Sequence, residues 1–169
     1  AGHTVTVFER DNKFGGLLRY GIPDFKMEKN VIDRRLEVLK AEGIIFKCNT
    51  EIGNTVSAEE LESEFDAIVL CTGASVKRQL PIPGADLKGV VQAMDFLPHN
   101  NKAVDEQHDR EEKYLAEDKN VIVIGGGDTG SDCIGTSNRQ GAESVTNFEI
   151  MPKPAESRTE DHPWPFWPF

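Results

Sequence analysis

The chain has 169 residues, enough for one ordinary domain or for parts of two. With 38% hydrophobic and 28% charged residues, it has the make-up of a folded globular protein rather than a disordered one. Its net charge of −10, with no Lys/Arg cluster, argues against a nucleic-acid partner, and no apolar run approaches the roughly 20 residues that span a bilayer. The first residues lack the basic start and apolar stretch of a signal peptide, so a cytoplasmic protein is expected.

In chain order, Thr4–Phe8 reads as a short strand ending in Glu9, and Gly15-Gly16 lies in the loop that follows. Tyr20-Gly21-Ile22-Pro23 reads as extended, because proline biases its predecessor away from helix. Val31, Ile32, Leu36 and Leu39 form one apolar stripe, predicting a helix over Met27–Glu42 that Gly43 stops. Ile44–Cys48 is a predicted strand. Ser57-Ala58-Glu59-Glu60 has the spacing of a capping box and opens a short helix through Glu64. Asp66–Cys71 is apolar on both faces, as a buried parallel strand would be, and runs into Thr72-Gly73.

Pro81, Pro83 and Gly84 mark a crossover, and Val90–Leu97 predicts a short helix. Asn100–Asp118 is charged and poorly patterned, either a solvated loop or an exposed helix. Asn120–Ile124 is a buried strand, Asp128–Gln140 a helix and Ser144–Ile150 another strand. The proline-rich tail Pro152–Phe169 has no regular pattern. Cys48, Cys71 and Cys133 form no Cys-x-x-Cys motif, so buried thiols are expected, with no ligand set for zinc or an iron–sulfur cluster. His3, His99, His108 and His162 have no partnered nucleophile, so surface or capping roles are expected and no catalytic residue is assigned.

Gly125-Gly126-Gly127-Asp128-Thr129-Gly130 matches G-x-G-x-x-G, with a strand directly before it and a helix directly after. Gly125 permits the tight turn, Gly127 lets a pyrophosphate approach the backbone, and Gly130 lets helix and strand pack closely. The N-terminus of the helix that follows would offer unpaired N–H groups and the positive end of its dipole to the phosphates. Glu149 lies 24 residues after Gly125, near the offset at which an acid takes the ribose 2′-hydroxyl. A carboxylate there repels the extra phosphate of NADP, which favours NADH. Lys153 and Arg139 pull the other way, and a solvated strand end remains the alternative. At the opening of the chain, Val5–Phe8 ending in Glu9 is by itself only a strand ending in an acid. With Gly15-Gly16, the strand running into Thr72-Gly73 and the later fingerprint, it reads as the second strand of another dinucleotide fold, with Glu9 in the ribose position and the first strand and glycine loop before residue 1. Hydride transfer between a nicotinamide and a flavin needs no protein acid or base.

The run Phe8-Glu9-Arg10 with Gly15-Gly16-Leu17-Leu18-Arg19-Tyr20-Gly21-Ile22-Pro23 resembles the flavin-binding stretch of the glutamate synthase small (beta) subunit family. Thr50–Gly53, Cys71–Ala74, Leu80–Gly84, Gly125–Cys133, Phe148–Pro152 and Asp161–Pro165 continue the likeness across the chain. The resemblance implies an α/β fold: parts of two Rossmann-like FAD/NAD(P)-binding domains, three-layered with mostly parallel sheet, both incomplete. It implies a partial FAD-binding domain over 1–80 and a crossover and connector over 81–118. The first βαβ of the NAD(P)H domain would follow over 119–151, with a tail over 152–169.

It further implies that Glu9 holds the FAD adenosine ribose and that Gly15, Gly16 and Leu17 pass near the flavin. Thr50, Glu51 and Ile52 would lie by the adenine, with Thr72 and Gly73 along the FAD. Gly125, Gly127, Asp128, Thr129 and Gly130 would hold the nicotinamide dinucleotide. The family passes hydride from NAD(P)H to FAD and electrons through iron–sulfur clusters to a large subunit. There, glutamine-derived ammonia and 2-oxoglutarate become glutamate. The iron–sulfur ligands would lie outside this segment, which reads as an internal fragment expected to bind FAD weakly or not at all, and to rearrange, self-associate or leave part of the chain loose. Another two-dinucleotide flavoprotein reductase, or a non-catalytic nucleotide-binding module, remain the alternatives.

Overall fold

The computed structural model describes residues 2–74, 76–106, 110–153 and 155–166. It divides into two compact units, Ala1–Leu115 and Ala116–Phe169. His108 and parts of the tail lie outside the described residues.

In the first unit, strand β1 (Thr6–Phe8) pairs in parallel with β2 (Ile45–Lys47), Val7 opposite Phe46. The parallel pairing requires a crossover, supplied here by helices α1 (Gly16–Tyr20) and α2 (Asn30–Ala41). Gly43, at φ +95°, ends α2, and the Ile44 N–H reaches back to the Leu39 carbonyl at 3.1 Å. Edge-to-face ring pairs Phe14–Phe46 and Phe8–Phe65 close the sheet, with centroids 4.8 and 5.9 Å apart. Helix α3 (Ala58–Glu64) carries the expected capping box in full. Ser57 Oγ accepts the Glu60 N–H at 3.1 Å and Glu60 Oε2 accepts the Ser57 N–H at 2.7 Å, a device that contributes about 1 kcal/mol. Helix α4 (Ala93–Glu106) buries Phe96, Leu97, Asn100, Asn101 and Ala103.

In the second unit, β3 (Asn120–Ile124) pairs in parallel with β4 (Ser144–Phe148), and α5 (Asp128–Arg139) makes the crossover. Val123 is buried while Ile122 and Ile124 are 60% and 63% exposed, with exposed Phe148 paired opposite Ile124. One face of the sheet is thus apolar and wet. Among the described residues no helix is long and apolar enough to cross a membrane.

The α/β class with parallel sheets holds, though each described sheet has two strands rather than forming one broad layer. Four local expectations fail. Gly16–Tyr20 is helical rather than loop and extended chain. Asp66–Cys71 is no strand: none of the described strands pairs with it, and Val69 and Leu70 are more than four-fifths exposed. An apolar run becomes a strand only when a neighbour takes up its backbone groups. The predicted helix Val90–Leu97 starts later and continues to Glu106, so the start of Asn100–Asp118, expected as a solvated loop or an exposed helix, is a packed helix. Its polar buried residues, Asn100 and Asn101, hid the helical period. Finally, β4 ends at Phe148, which leaves Glu149 just beyond the strand.

The cysteines also differ from expectation. Only Cys133 is buried; Cys48 is half-buried and Cys71 exposed. Burial pushes the Cys133 thiol up to about 11, helped by the negative charge of Asp132. In this 169-residue chain an alkylating reagent at neutral pH is therefore expected to modify Cys71 to completion before Cys133 reacts measurably. Peptide mass mapping over time checks this, and equal rates would contradict it. His99 has the expected capping role, its Nε2 accepting the Glu111 N–H at 2.9 Å while its ring lies 4.5 Å from that of Tyr114.

Candidate functional site

Parallel sheets collect ligands beyond the carboxyl ends of their strands. In the second unit β3 runs into Gly125–Gly130 and β4 into Glu149, so the sequence-predicted nicotinamide residues meet at one sheet edge. Gly125 turns the chain at φ +114°, a conformation that favours glycine. Its N–H donates to the Phe148 carbonyl at 2.8 Å, and its carbonyl accepts from Asn147 Nδ2 at 2.9 Å. Asn147 Nδ2 also donates to the Val123 carbonyl at 3.0 Å, stapling the glycine loop to the end of β3. A Cβ on Gly130 would overlap the Gly125 carbonyl oxygen, whereas one on Gly127 would meet nothing within 4 Å. Loop and helix are thus in close contact on one side, and the Gly127 side is open.

Gly127 caps α5 with no side-chain hydrogen bond, so the first-turn N–H groups at Asp128–Gly130 are not taken by a side-chain cap. That is the arrangement a pyrophosphate requires, and these residues fit a dinucleotide. Glu149 lies against the loop. Its Oε2 accepts the Gly126 N–H and its Oε1 the Met151 N–H at 2.9 Å. The hydrogen bond from Met151, followed by that from Gly126, holds the carboxyl below the usual carboxylate range, although the group is fully exposed. Of the two cations the sequence brought into question, Arg139 ends α5, at the opposite end of the helix from the glycine loop, and Lys153 is paired elsewhere. Arg139 donates to the Gly135 carbonyl at 3.0 Å, and Lys153 pairs with Glu156 at 2.9 Å.

The first unit repeats the arrangement. Glu9 directly follows β1 and Thr50–Ile52 lie just beyond β2, the Thr50 N–H donating to the Glu9 carbonyl at 2.8 Å. One carboxylate oxygen of Glu9 accepts the Asp11 N–H at 3.0 Å, and the other has no hydrogen bond among the described residues. Gly15 and Gly16 take φ of +130° and +48°, and the Gly16 side is open to 4 Å. Leu17 and Leu18 are 64% and 50% exposed on the same segment. An acid at a strand end beside an open, apolar-edged turn suits an adenosine ribose and the flavin that follows it. The other predicted residues fit less directly. Thr50 Oγ1 donates to the Cys48 carbonyl, Glu51 binds the turn through Asn54 and Thr55, and Ile52 bridges to Val56. Thr72 and Gly73 are exposed, with no hydrogen bond to the other candidates among the described residues.

Sequence reasoning missed Asn147 and Asn101, both of which hold backbone rather than ligand positions. Nothing in Ser144–Phe148, where Ser144 and Thr146 are polar too, set the first apart. Among the described residues no group of three His, Cys, Asp or Glu is placed to hold a metal ion.

A parallel α/β unit with a glycine loop at its carboxyl edge defines a dinucleotide-binding protein. The family model for pyridine nucleotide-disulphide oxidoreductases matches residues 3–164, and the chain belongs to that family. It is 53% identical, over 99% of its length, to the glutamate synthase (NADPH) small chain of Mycobacterium tuberculosis, of which it covers 35%. It is 50% identical over 99% to the glutamate synthase (NADH) of Saccharomyces cerevisiae, covering 8% of that protein. Among solved structures, a variant of FprA from M. tuberculosis superposes with a TM-score of 0.66 at 25% identity, covering 85% of this chain and 36% of that one. The chain thus spans about a third of the small chains it matches.

Proposed function

We propose that the whole protein is a glutamate synthase small chain, in which this segment supplies part of the FAD seat and the pyrophosphate loop for NAD(P)H. The observation that carries the reading is the Gly125–Gly130 loop at the carboxyl edge of β3, opening onto the α5 N-terminus. The relatives at 50–53% identity support the particular enzyme. When bound, the nicotinamide supplies a hydride and the flavin accepts it. The chain's residues bind and orient. Gly127 and the first turn of α5 take the pyrophosphate, Glu149 faces the adenosine ribose, and Glu9 with Gly15–Leu17 seats the FAD. Thr50, Glu51, Ile52, Thr72 and Gly73 are proposed to complete that seat.

Iron–sulfur clusters, whose ligands would lie outside this segment, would carry the electrons to a large subunit that makes glutamate, and the proposed setting is the cytoplasm. The division into a partial flavin domain over 1–80, a connector over 81–118 and the first nicotinamide βαβ over 119–151 belongs to the same proposal. Because Glu149 is a carboxylate, Arg139 lies at the far end of α5 and Lys153 is paired with Glu156, NADH is the proposed donor. The test is anaerobic titration of the full-length protein with NADH and with NADPH while the flavin absorbance is followed. Bleaching by NADH at lower concentration than by NADPH is expected. Purified protein without flavin, or flavin that neither nicotinamide bleaches, would overturn the reading.

A further inference from the structure

Helix α4 grips the segment Asp11–Ile22 at both of its ends. Lys102 Nζ pairs with Asp11 at 3.1 Å and lies 4.7 Å from the Tyr20 ring centroid. Asp105 pairs with Lys13 at 2.5 Å, and Glu106 Oε1 accepts from Asn12 Nδ2 at 2.8 Å. Tyr20 joins this set by donating to Asn12 Oδ1 at 2.5 Å and accepting the Lys13 N–H at 3.2 Å. At the centre is Asn101, 3% exposed. Its Nδ2 donates to two carbonyls at once, Tyr20 at 2.9 Å and Ile22 at 3.1 Å. These close the C-terminal end of α1, a helix too short to satisfy its own last carbonyls. Lys29, also buried, donates to the same Ile22 carbonyl from the other side.

Only four residues separate Gly15 from Tyr20, so the conformation of the glycine turn is set by where α1 ends. Gly15 has little room to adjust, since a Cβ there would meet Arg19 Cβ at 3.0 Å and Ile32 Cγ2 at 3.3 Å. Arg19 is itself buried and fixed to the Phe14 carbonyl at 2.6 Å and to Asp33. The exchangeable part of this frame is a single amide. Replacing its two donors by a carboxylate sets acceptors against both carbonyls, and the turn must move.

We propose that Asn101 is a positioning residue for the flavin. By holding the Tyr20 and Ile22 carbonyls, it keeps Gly15–Leu17 in the conformation that receives the cofactor, and so links the connector helix to flavin affinity. This rests on the reading of Gly15–Leu17 as part of the FAD seat. The experiment uses the full-length protein, stripped of flavin and titrated with FAD, in the variants N101D and N101S. L97A serves as the control, because Leu97 lies in the same helix and is 1% exposed, while its apolar side chain can hold no carbonyl.

N101D is expected to raise the FAD dissociation constant at least tenfold, and N101S, which keeps one donor, by a smaller factor. L97A, at an equal or larger loss of melting temperature, should stay within threefold of wild type. In the flavin-free protein, N101D should also speed amide hydrogen exchange of Leu17–Ile22 selectively. Should N101D fail to accumulate, N101S decides alone. FAD affinity that follows melting temperature identically in all variants makes Asn101 merely structural and overturns the proposal. So does wild-type FAD affinity in N101D. Wild-type protein that takes up no FAD overturns the underlying reading, and this inference with it.

Discussion

Gly130→Val is expected to weaken nicotinamide binding to the full-length protein by at least about tenfold and to destabilise the second unit by about 1–3 kcal/mol. The new side chain would be driven into the Gly125 carbonyl oxygen. That atom cannot retreat freely, because Gly125 is held through its N–H by Phe148 and through its carbonyl by Asn147. Relief has to come from tilting α5, which moves the first-turn N–H groups away from the phosphates they are proposed to bind. Isothermal titration with NADH and a denaturant melt, run on the same preparation, separate the two effects. Wild-type affinity in a correctly folded variant would show that the dinucleotide does not use this loop.

Glu149→Arg should reverse the coenzyme preference, raising KM for NADH about tenfold while lowering that for NADPH, with kcat little changed. The substitution removes the acceptor of the Gly126 and Met151 N–H groups and puts a cation where the 2′-phosphate would lie. Steady-state kinetics with both nicotinamides tests this, and an unaltered ratio would remove Glu149 from the ribose site. The pH dependence follows from the sign of its shift. A carboxyl held below the usual value of about 4.3 contributes stability above that value and loses it as pH falls through the lowered one. The clamp on Gly126 is therefore intact across neutral pH, and coenzyme preference should not change between about pH 6 and 8 on account of this group.

The second unit was legible in the sequence because each part of it is local. Strand, glycine loop, helix and strand follow one another within thirty residues, and the partner of each lies next in the chain. The α3 capping box was legible for the same reason, both of its hydrogen bonds spanning three residues. The first unit was harder. Asp66–Cys71 has the composition of a buried strand, but composition states a need for partners and cannot supply them. Helix α4 was obscured because Asn100 and Asn101 are buried, which reads as loop until their partners are seen. Asn101 donates to the Tyr20 and Ile22 carbonyls, 81 and 79 residues away in the chain, and Asn100 accepts from Arg110 Nε. Exposed Thr72 and Gly73 show the same limit: a motif names a residue's role, while only long-range packing brings it to the site.

The wet apolar face of the β3–β4 sheet has a thermodynamic consequence. Ile122, Ile124 and Phe148 already touch water in the folded chain, so unfolding adds little hydration there. The heat-capacity increment of this 169-residue chain should therefore fall below the usual 12–15 or so cal/mol/K per residue. Its stability should vary little with temperature, and differential scanning calorimetry should record a broad, low endotherm. A sharp one carrying the full increment would mean that the face is covered in solution.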